Sequence, residues 1–466
     1  MEGEGAARGL HRRTRRAQAR VPGEDGRLEL SPSPQTAGGA PTAPRRCGAD
    51  ALSETSYCAG IDVGTTKICT VIGRKTDTGE LDILGVGTAP SAGLKAGIIV
   101  DREDAISAIR ASVESAREMA QLPLRAAYVG ITGDHVRSTN VVGRVHTGPR
   151  GEITAEDVEQ ARQSAVDSVP CPVDREIVHT VVREYSVDGA SGVSRPIGMS
   201  GRRLDVLLHV VTGMSTTIAN VRSCVEAVGI EVRAHVLEPI ATGRAVLTDA
   251  ERDLGVLLVD IGGGTSDVAV FVDNSICHTG AVPVAGDRIT RDIAEVLRIS
   301  PADAEELKRK HGVALPELVS ENDMVKITKA NGVEVDRAPR RLVAEIMEAR
   351  LGEIFELVKA QLARAPVPKV GGIVLSGGGC LAPGTAKLAG RVFDDIAART
   401  SQPGRVVGLT NLVDSPIFAT GVGLAAIAAD ENASAASVLR PAAIDTDDVR
   451  SWLTQTWTRL RKRLPW

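Results

Sequence analysis

The sequence predicts an α/β fold built in two similar halves, and three observations carry that prediction. A short pattern occurs twice: "IDVGTTKICTVIG" from Ile61 and "VDIGGGTSDVAVFV" from Val259 each run from an apolar strand through Asp, an apolar residue and a Gly/Thr-rich turn into a second apolar strand. The two aspartates, Asp62 and Asp260, stand about one domain length apart. Strand-like and helix-like segments alternate along the chain, and 466 residues exceed what one compact core holds.

The elements follow in order. Residues 1–55 are expected to be disordered, since "LHRRTRRAQAR" is basic and acid-poor and "SPSPQTAGGAPTAP" is of low complexity. Order is expected from "SYCAGIDVG", where "CAGIDV", "KICTVIG" and "LDILGVGTA" read as a meander of short strands. The segment "DREDAISAIRASVESAREMAQ" reads as a helix, with Ile106, Ile109, Val113 and Met119 as its apolar stripe. From about Val136 to Gly213, "STNVVGRVHTG", "EIVHTVVREYSVDG" and "RLDVLLHVVTG" read as strands. The helix "TAEDVEQARQSAVDSV" among them has Thr154 and Asp157 as a capping box. Beyond the second Asp turn, Asp273-Asn274-Ser275 marks a hairpin turn. Ser300 before Pro301 caps the helix "SPADAEELKRKHG", "RRLVAEIMEARLGEIFELVKAQLARA" is a longer helix, and "GGIVLSGGGCLAPGTAKLAGRVF" reads as strand, glycine turn and helix.

Composition excludes several classes. An apolar share of 43% with 24% charged residues suits a folded, water-soluble body, and a net charge of −4 gives no reason to expect nucleic-acid binding. Seven scattered cysteines without a CxxC pair argue for a reducing compartment and against a disulfide frame or zinc site. No apolar run approaches the ~20 residues that span a bilayer. The N-terminus lacks a secretion signal's apolar core, so a cytoplasmic location is expected.

The two turns carry phosphate chemistry. Gly64, Gly262, Gly263 and Gly264 allow backbone N–H groups to approach phosphate oxygens; Thr65, Thr66 and Thr265 add hydroxyl donors, and Lys67 adds a point charge. Asp62 and Asp260, at strand ends, suit the hydration shell of a phosphate-bound Mg²⁺. No GxxxxGK[ST] occurs, so the arrangement differs from a P-loop and implies phosphates held in a cleft between two halves.

With "IVLSGGG" as a third glycine turn, the set resembles the actin/Hsp70/sugar-kinase superfamily. The resemblance implies an ATP cofactor, with Gly377, Gly378 and Gly379 against the adenosine. It also aligns Glu305 and Lys308 of "DAEELKRKHG" with the acidic helical motif used for ribose or purine; the plain alternative is a solvated ion pair. "VLEPIATGRAVL" resembles the helix joining the halves in actin-like filament proteins, which makes Glu238 a catalytic candidate that orients or deprotonates the attacking water. A helix-start residue before Pro239 is the alternative.

More specifically, "GIDVGTTKICTVIG", "ERDLGVLLVDIGGGTSDVAVF", "HTGAVPVAGDRITRDIA", "DAEELKRKHG" and "GGIVLSGGGCLAPGTAKLAGRVF" resemble the bacterial cell-division family FtsA. That resemblance implies an actin-like (ribonuclease H-like) duplicated fold with a nucleotide cleft, a family-specific α/β insert and a C-terminal amphipathic helix. The implied boundaries are 56–135 and 214–252 for the first half and 136–213 for the insert. The second half takes 253–298 and 366–430, with a small helical subdomain at 299–365, a linker at 431–446 and a membrane helix at 447–466. The implied function is an ATP-binding protein that polymerises on the cytoplasmic face of the inner membrane at the septum. Implied partners are the FtsZ C-terminal peptide on 299–365, copies of itself and later division proteins; at most it is a slow Mg-dependent ATPase.

The tail supports the membrane part from its residues alone. All three tryptophans of the chain fall within it. As a helix it sets Val449, Trp452, Leu453, Trp457, Leu460 and Leu464 on one stripe, with Arg461, Lys462 and Arg463 beside it. Indoles at the headgroup boundary and cations against anionic lipid are what an in-plane helix needs. The rivals are a sugar or small-acid kinase, which "GIDVGTTK" also fits, and an actin-like pilus-assembly scaffold.

Overall fold

The computed structural model describes residues 57–433 except 149–150, 330–334 and 366. The expectations for 1–55 and for the tail helix therefore lie outside the described residues.

The repeat seen in the sequence is a repeat of sheets. The first sheet orders its strands Glu231–Leu237, Ala126–Ile131, Cys58–Val63, Lys67–Lys75, Leu81–Pro90 and Val406–Gly408. The second runs Ala398–Thr400, Gly372–Ser376, Val256–Ile261, Ser266–Val272 and Ser275–Val282. Overlaid, the five strands match in order and direction: an antiparallel meander of three, then two parallel neighbours beside its first strand. Both central strands, "CAGIDV" and "VLLVDI", are buried along their whole length, which is why they read as unbroken apolar runs.

Helices cover the faces. Arg102–Ala120 starts where the Asp101 carboxylate accepts the backbone N–H groups of Glu103 and Asp104, each at 3.1 Å. It buries Ile106, Ile109, Val113 and Ala116 against the first sheet, whereas Met119 is 42% exposed, against expectation. At 100° per residue, position 119 stands roughly 100° from the centre of those four, at the edge of the buried face, where its sulfur still accepts the Val86 N–H at 3.3 Å. The second half covers its sheet with Gly286–Leu297 and Arg340–Ala363.

Between the halves lie two helices. Glu238–Val246 and Ala419–Ala433 pack on each other, and one core cluster joins Cys69 and Val71 of the first sheet to Leu258, Ala269 and Val374 of the second. The family resemblance implies that all of 366–430 belongs to the second half. Instead Val406–Gly408 pairs with Leu81–Pro90, and Ala419–Ala433 packs on the first sheet, so the chain returns after Thr400.

The insert is a four-stranded sheet, Arg137–His146, Arg203–Met214, Arg175–Val187 and Ala190–Val193, covered by Ala155–Asp167. Its capping box is present: Thr154 Oγ1 accepts from Asp157 N at 3.2 Å and Asp157 Oδ2 from Thr154 N at 2.8 Å. The insert reaches the second half through Ser138 Oγ to Thr279 O at 2.8 Å and Asn140 Nδ2 to Cys277 O at 3.0 Å. The 299–365 region is not purely helical: between Pro301–His311 and Arg340–Ala363 it holds a hairpin, Met324–Thr328 with Val335–Pro339. Among the described residues no helix is long and apolar enough to cross a membrane.

Candidate functional site

Strand register sets the two turns. In the first hairpin Asp62 faces Cys69 and Val63 faces Ile68, leaving Gly64–Lys67 as the connection. In the second Asp260 faces Asp267 and Ile261 faces Ser266, leaving Gly262–Thr265. The turns meet tip to tip. A Cβ on Gly263 would lie 1.8 Å from Thr66 Oγ1, and one on Gly264 would lie 2.9 Å from Thr65 Oγ1. Only bare backbone lets the second half come this close to the threonines of the first.

The third glycine turn leans on the second. Gly377 has φ +78°, and a Cβ there would fall 2.4 Å from Asp260 Oδ1 and 2.4 Å from Ile261 O. Gly379 is pressed on Ile261 in the same way, while Gly378 meets nothing closer than Ile417 Cγ2 at 3.8 Å and presents its backbone outward. Lys67 ties this region to the first turn: its ammonium donates to Ile417 O and sits 4.5 Å above the Phe418 ring.

Beneath the turns four carboxylates are buried: Asp62, Asp260, Asp267 and Glu238. Asp260 Oδ2 accepts from Thr242 Oγ1 at 2.7 Å and Thr420 Oγ1 at 3.4 Å; Asp267 accepts from Thr132 Oγ1 at 2.6 Å and Thr265 Oγ1 at 3.2 Å. Burial pushes Asp62 up to about 6, with Lys67 opposing and Asp260 reinforcing the rise. Asp267 is pushed up to about 7 by burial, against its Thr132 bond and with Asp260 adding to it. Burial, then the charges of Asp62, Asp267 and Asp260, hold the Glu238 carboxyl well above the usual range. Glu238 opens the helix Glu238–Val246 against Gly130, and its Oε1 has no hydrogen-bond partner among the described residues. No three His, Cys, Asp or Glu groups among the described residues converge closely enough to ligate one ion directly.

Glu305 and Lys308 form an ion pair, and it lies against the second turn. Lys308 Nζ donates to Gly286 O at 3.1 Å and Thr290 Oγ1 at 2.8 Å, and Gly286 N in turn donates to Gly262 O at 3.0 Å. Burial works against ionisation of Glu305, yet its bonds to Lys308 and Thr290 hold the carboxyl below the usual range. Asp287, whose N–H donates to Gly263 O at 2.8 Å, also reaches this turn.

The structure thus brings together every candidate of the cleft, and the tail candidates lie outside the described residues. Sequence reasoning missed Asp267 and the hydroxyls of Thr132, Thr242 and Thr420. A lone Asp inside the strand "SDVAVFV" was the one available signal.

Comparison with known proteins agrees with this architecture. The family model described as cell division protein FtsA matches residues 257–423, and that of the SHS2 domain inserted in FtsA matches 133–212. The chain is 40% identical over 371 residues to the cell division protein FtsA of Pseudomonas aeruginosa, covering 78% of this chain and 87% of that one. It is 31% identical over 419 residues to that of Escherichia coli strain K12, covering 88% and 99%. For Bacillus subtilis strain 168 the identity is 35% over 375 residues, covering 80% and 83%. A chain of the PilM-PilN type IV pilus biogenesis complex superposes with a TM-score of 0.57 at 16% identity, covering 80% of this chain and 98% of that one, a likeness of fold. The fold class is therefore the expected actin-like duplicated α/β body with its inserted subdomain. With relatives above 30% identity matched over 83–99% of their length, the chain belongs to the FtsA family of cell-division proteins.

Proposed function

We propose that this cell-division protein binds ATP in the cleft, assembles with its own copies on the cytoplasmic face of the plasma membrane and tethers FtsZ there at the division site. The observation that carries the reading is the tip-to-tip meeting of two glycine turns above buried carboxylates. Backbone N–H groups and hydroxyls of Gly64–Lys67 and Gly262–Thr265 would receive the phosphates, Gly377–Gly379 would lie against the adenosine, and Glu305 with Lys308 would lie on the ribose side. Bound Mg²⁺ would supply the positive charge that the carboxylate cluster lacks, held through water by Asp62 and Asp260. The raised pKa values and the unpartnered Glu238 Oε1 fit such an ion. Glu238 would orient or deprotonate the attacking water, and the protein would be at most a slow Mg-dependent ATPase.

The tail, residues 447–466, would hold the protein on anionic lipid through Trp452, Leu453, Trp457, Leu460 and Leu464, with Arg461, Lys462 and Arg463 against the headgroups. The 299–365 region would take the FtsZ C-terminal peptide; its exposed Leu318 and Met324 offer the apolar contacts such a segment needs. Later division proteins would join the assembled form.

Co-sedimentation with anionic liposomes tests the reading, comparing the whole chain with one ended after Arg440, each with and without Mg-ATP. The expected result is lipid binding by the whole chain alone, strengthened by Mg-ATP. Equal behaviour of the two chains would remove the tail from the membrane role. Binding to immobilised FtsZ C-terminal peptide, lost on substituting Leu318 and Met324 by Asp, tests the tether.

A further inference from the structure

On the side away from the turns, a groove of about 1220 Å³ separates the insert from the second half. Its wall is apolar in part: half-buried Tyr185 and Val193 of the insert face it, and Ile240, Phe271, Ile276 and Ile427 of the body lie buried beneath it. The volume exceeds the roughly 300–1,000 Å³ typical of small-molecule sites and suits a peptide segment. Three polar atoms in the residues lining it, Arg183 Nε, Arg252 Nε and Glu431 Oε1, are buried without a hydrogen-bond partner among the described residues.

We infer that residues 447–466 of this same chain occupy the groove when lipid is absent, so that groove and membrane compete for one segment. The inference rests on the reading of that segment as the membrane anchor. Three features favour this occupant. First, the helix Ala419–Ala433 ends within one turn of Asp430 and Glu431, which line the groove, so the tail departs from its rim. Residues 434–446 can span up to about 45 Å when extended, enough to turn back and lay roughly 30 Å of helix along the wall.

Second, the Trp/Leu stripe of the tail matches the apolar wall, as an amphipathic helix matches a hydrophobic groove. Third, the tail carries a charge the rim can use: its arginines suit the exposed Asp253 and Asp273. A docked tail would touch the insert and the second half together, holding the insert in one position until lipid draws the tail away.

Because all three tryptophans lie in the tail, the intrinsic emission of the unlabelled full chain reports on that segment alone. In dilute, lipid-free solution we expect blue-shifted emission poorly accessible to acrylamide. Asp253→Lys and, separately, Val193→Asp should shift it to the red, raise acrylamide access and strengthen binding to anionic liposomes. Indoles already exposed in the unsubstituted chain would overturn the inference. So would blue emission unmoved by both substitutions, which places the tail elsewhere, or emission that varies with protein concentration, which makes the occupant a second copy. If the full chain binds no liposome under any condition the membrane reading fails, whatever the emission shows; if it binds them but its free indoles are exposed, only the groove inference fails.

Discussion

In the first hairpin Asp62 faces Cys69 across the ladder, and in the second Asp260 faces Asp267. The backbones correspond pair for pair, yet the first turn presents hydroxyls and an ammonium, "GTTK", and the second presents bare backbone, "GGGT". Duplication supplied a symmetric frame, and the chemistry was then divided between its halves. Two carboxylates facing each other in a buried ladder are costly, and the hydroxyls of Thr132, Thr242 and Thr265 offset part of that cost. The first half carries its charge differently, setting Lys67 between its turn and Ile417.

The largest effect is expected from forcing the first half to copy the second. Cys69 is fully buried, and Cys69→Asp adds a carboxylate with none of the hydroxyl partners of Asp267. Urea unfolding should show a loss of about 3–5 kcal/mol; a variant of unchanged stability would mean that the two ladders are interchangeable.

Next in size is an effect of acid where the insert meets the first half. His179 of the insert accepts the Leu237 N–H at 2.9 Å on Nε2, which requires a neutral ring. Burial, with His235 adding to it, holds its pKa down to about 4. The unfolded chain therefore binds the proton first, so stability is unaffected above about pH 6.5, falls progressively between about 6.5 and about 4, and levels off below that after a loss of up to about 3 kcal/mol. Melting curves across that range should be flatter for His179→Gln, which keeps an acceptor without the titration.

A smaller effect probes the meeting of the turns. Gly263→Ala places its Cβ on Thr66 Oγ1 and should cost about 1–3 kcal/mol in stability or nucleotide affinity. Adding Thr66→Ala removes the 1.8 Å contact, leaving residue 66 Cβ at 3.1 Å and Asp287 Oδ1 at 3.3 Å from the new atom, and should recover most of the loss. Failure of that rescue would show that Gly263 serves something other than close approach. The smallest effect has the opposite sign. Asp267→Asn should stabilise the nucleotide-free protein by about 1 kcal/mol while weakening Mg-nucleotide binding, read by melting with and without Mg-ATP.

Much of this site is legible in the sequence because its parts are short and local. Asp, Gly and Thr between apolar strands mark both turns, and the repeat implies that they face each other. Asp267 was harder, since it sits in a strand whose other residues are core. Thr132, Thr242 and Thr420 come from three distant segments and meet the carboxylates only through the fold. The return of Val406–Gly408 to the first sheet was equally hidden, because a three-residue edge strand carries no periodicity. In the 299–365 region helix capping at Ser300 is legible, and the hairpin of Met324–Thr328 with Val335–Pro339 carries a signal that was passed over, the Asn331-Gly332 dipeptide in the sequence between its strands.

The helix Ala419–Ala433 has one further consequence. Thr420, in its first turn, touches Asp260, while near its other end Asp430 is clamped by Lys75 at 2.9 Å and Arg244 at 2.8 Å. A packed helix of this length behaves as a stiff rod of about 22 Å. If its cleft end is shifted by a tilt of ~5°, the far end swings by about 2 Å. The chain runs on from that far end toward 447–466, so the rod would give the cleft a mechanical lever on the segment proposed to meet lipid.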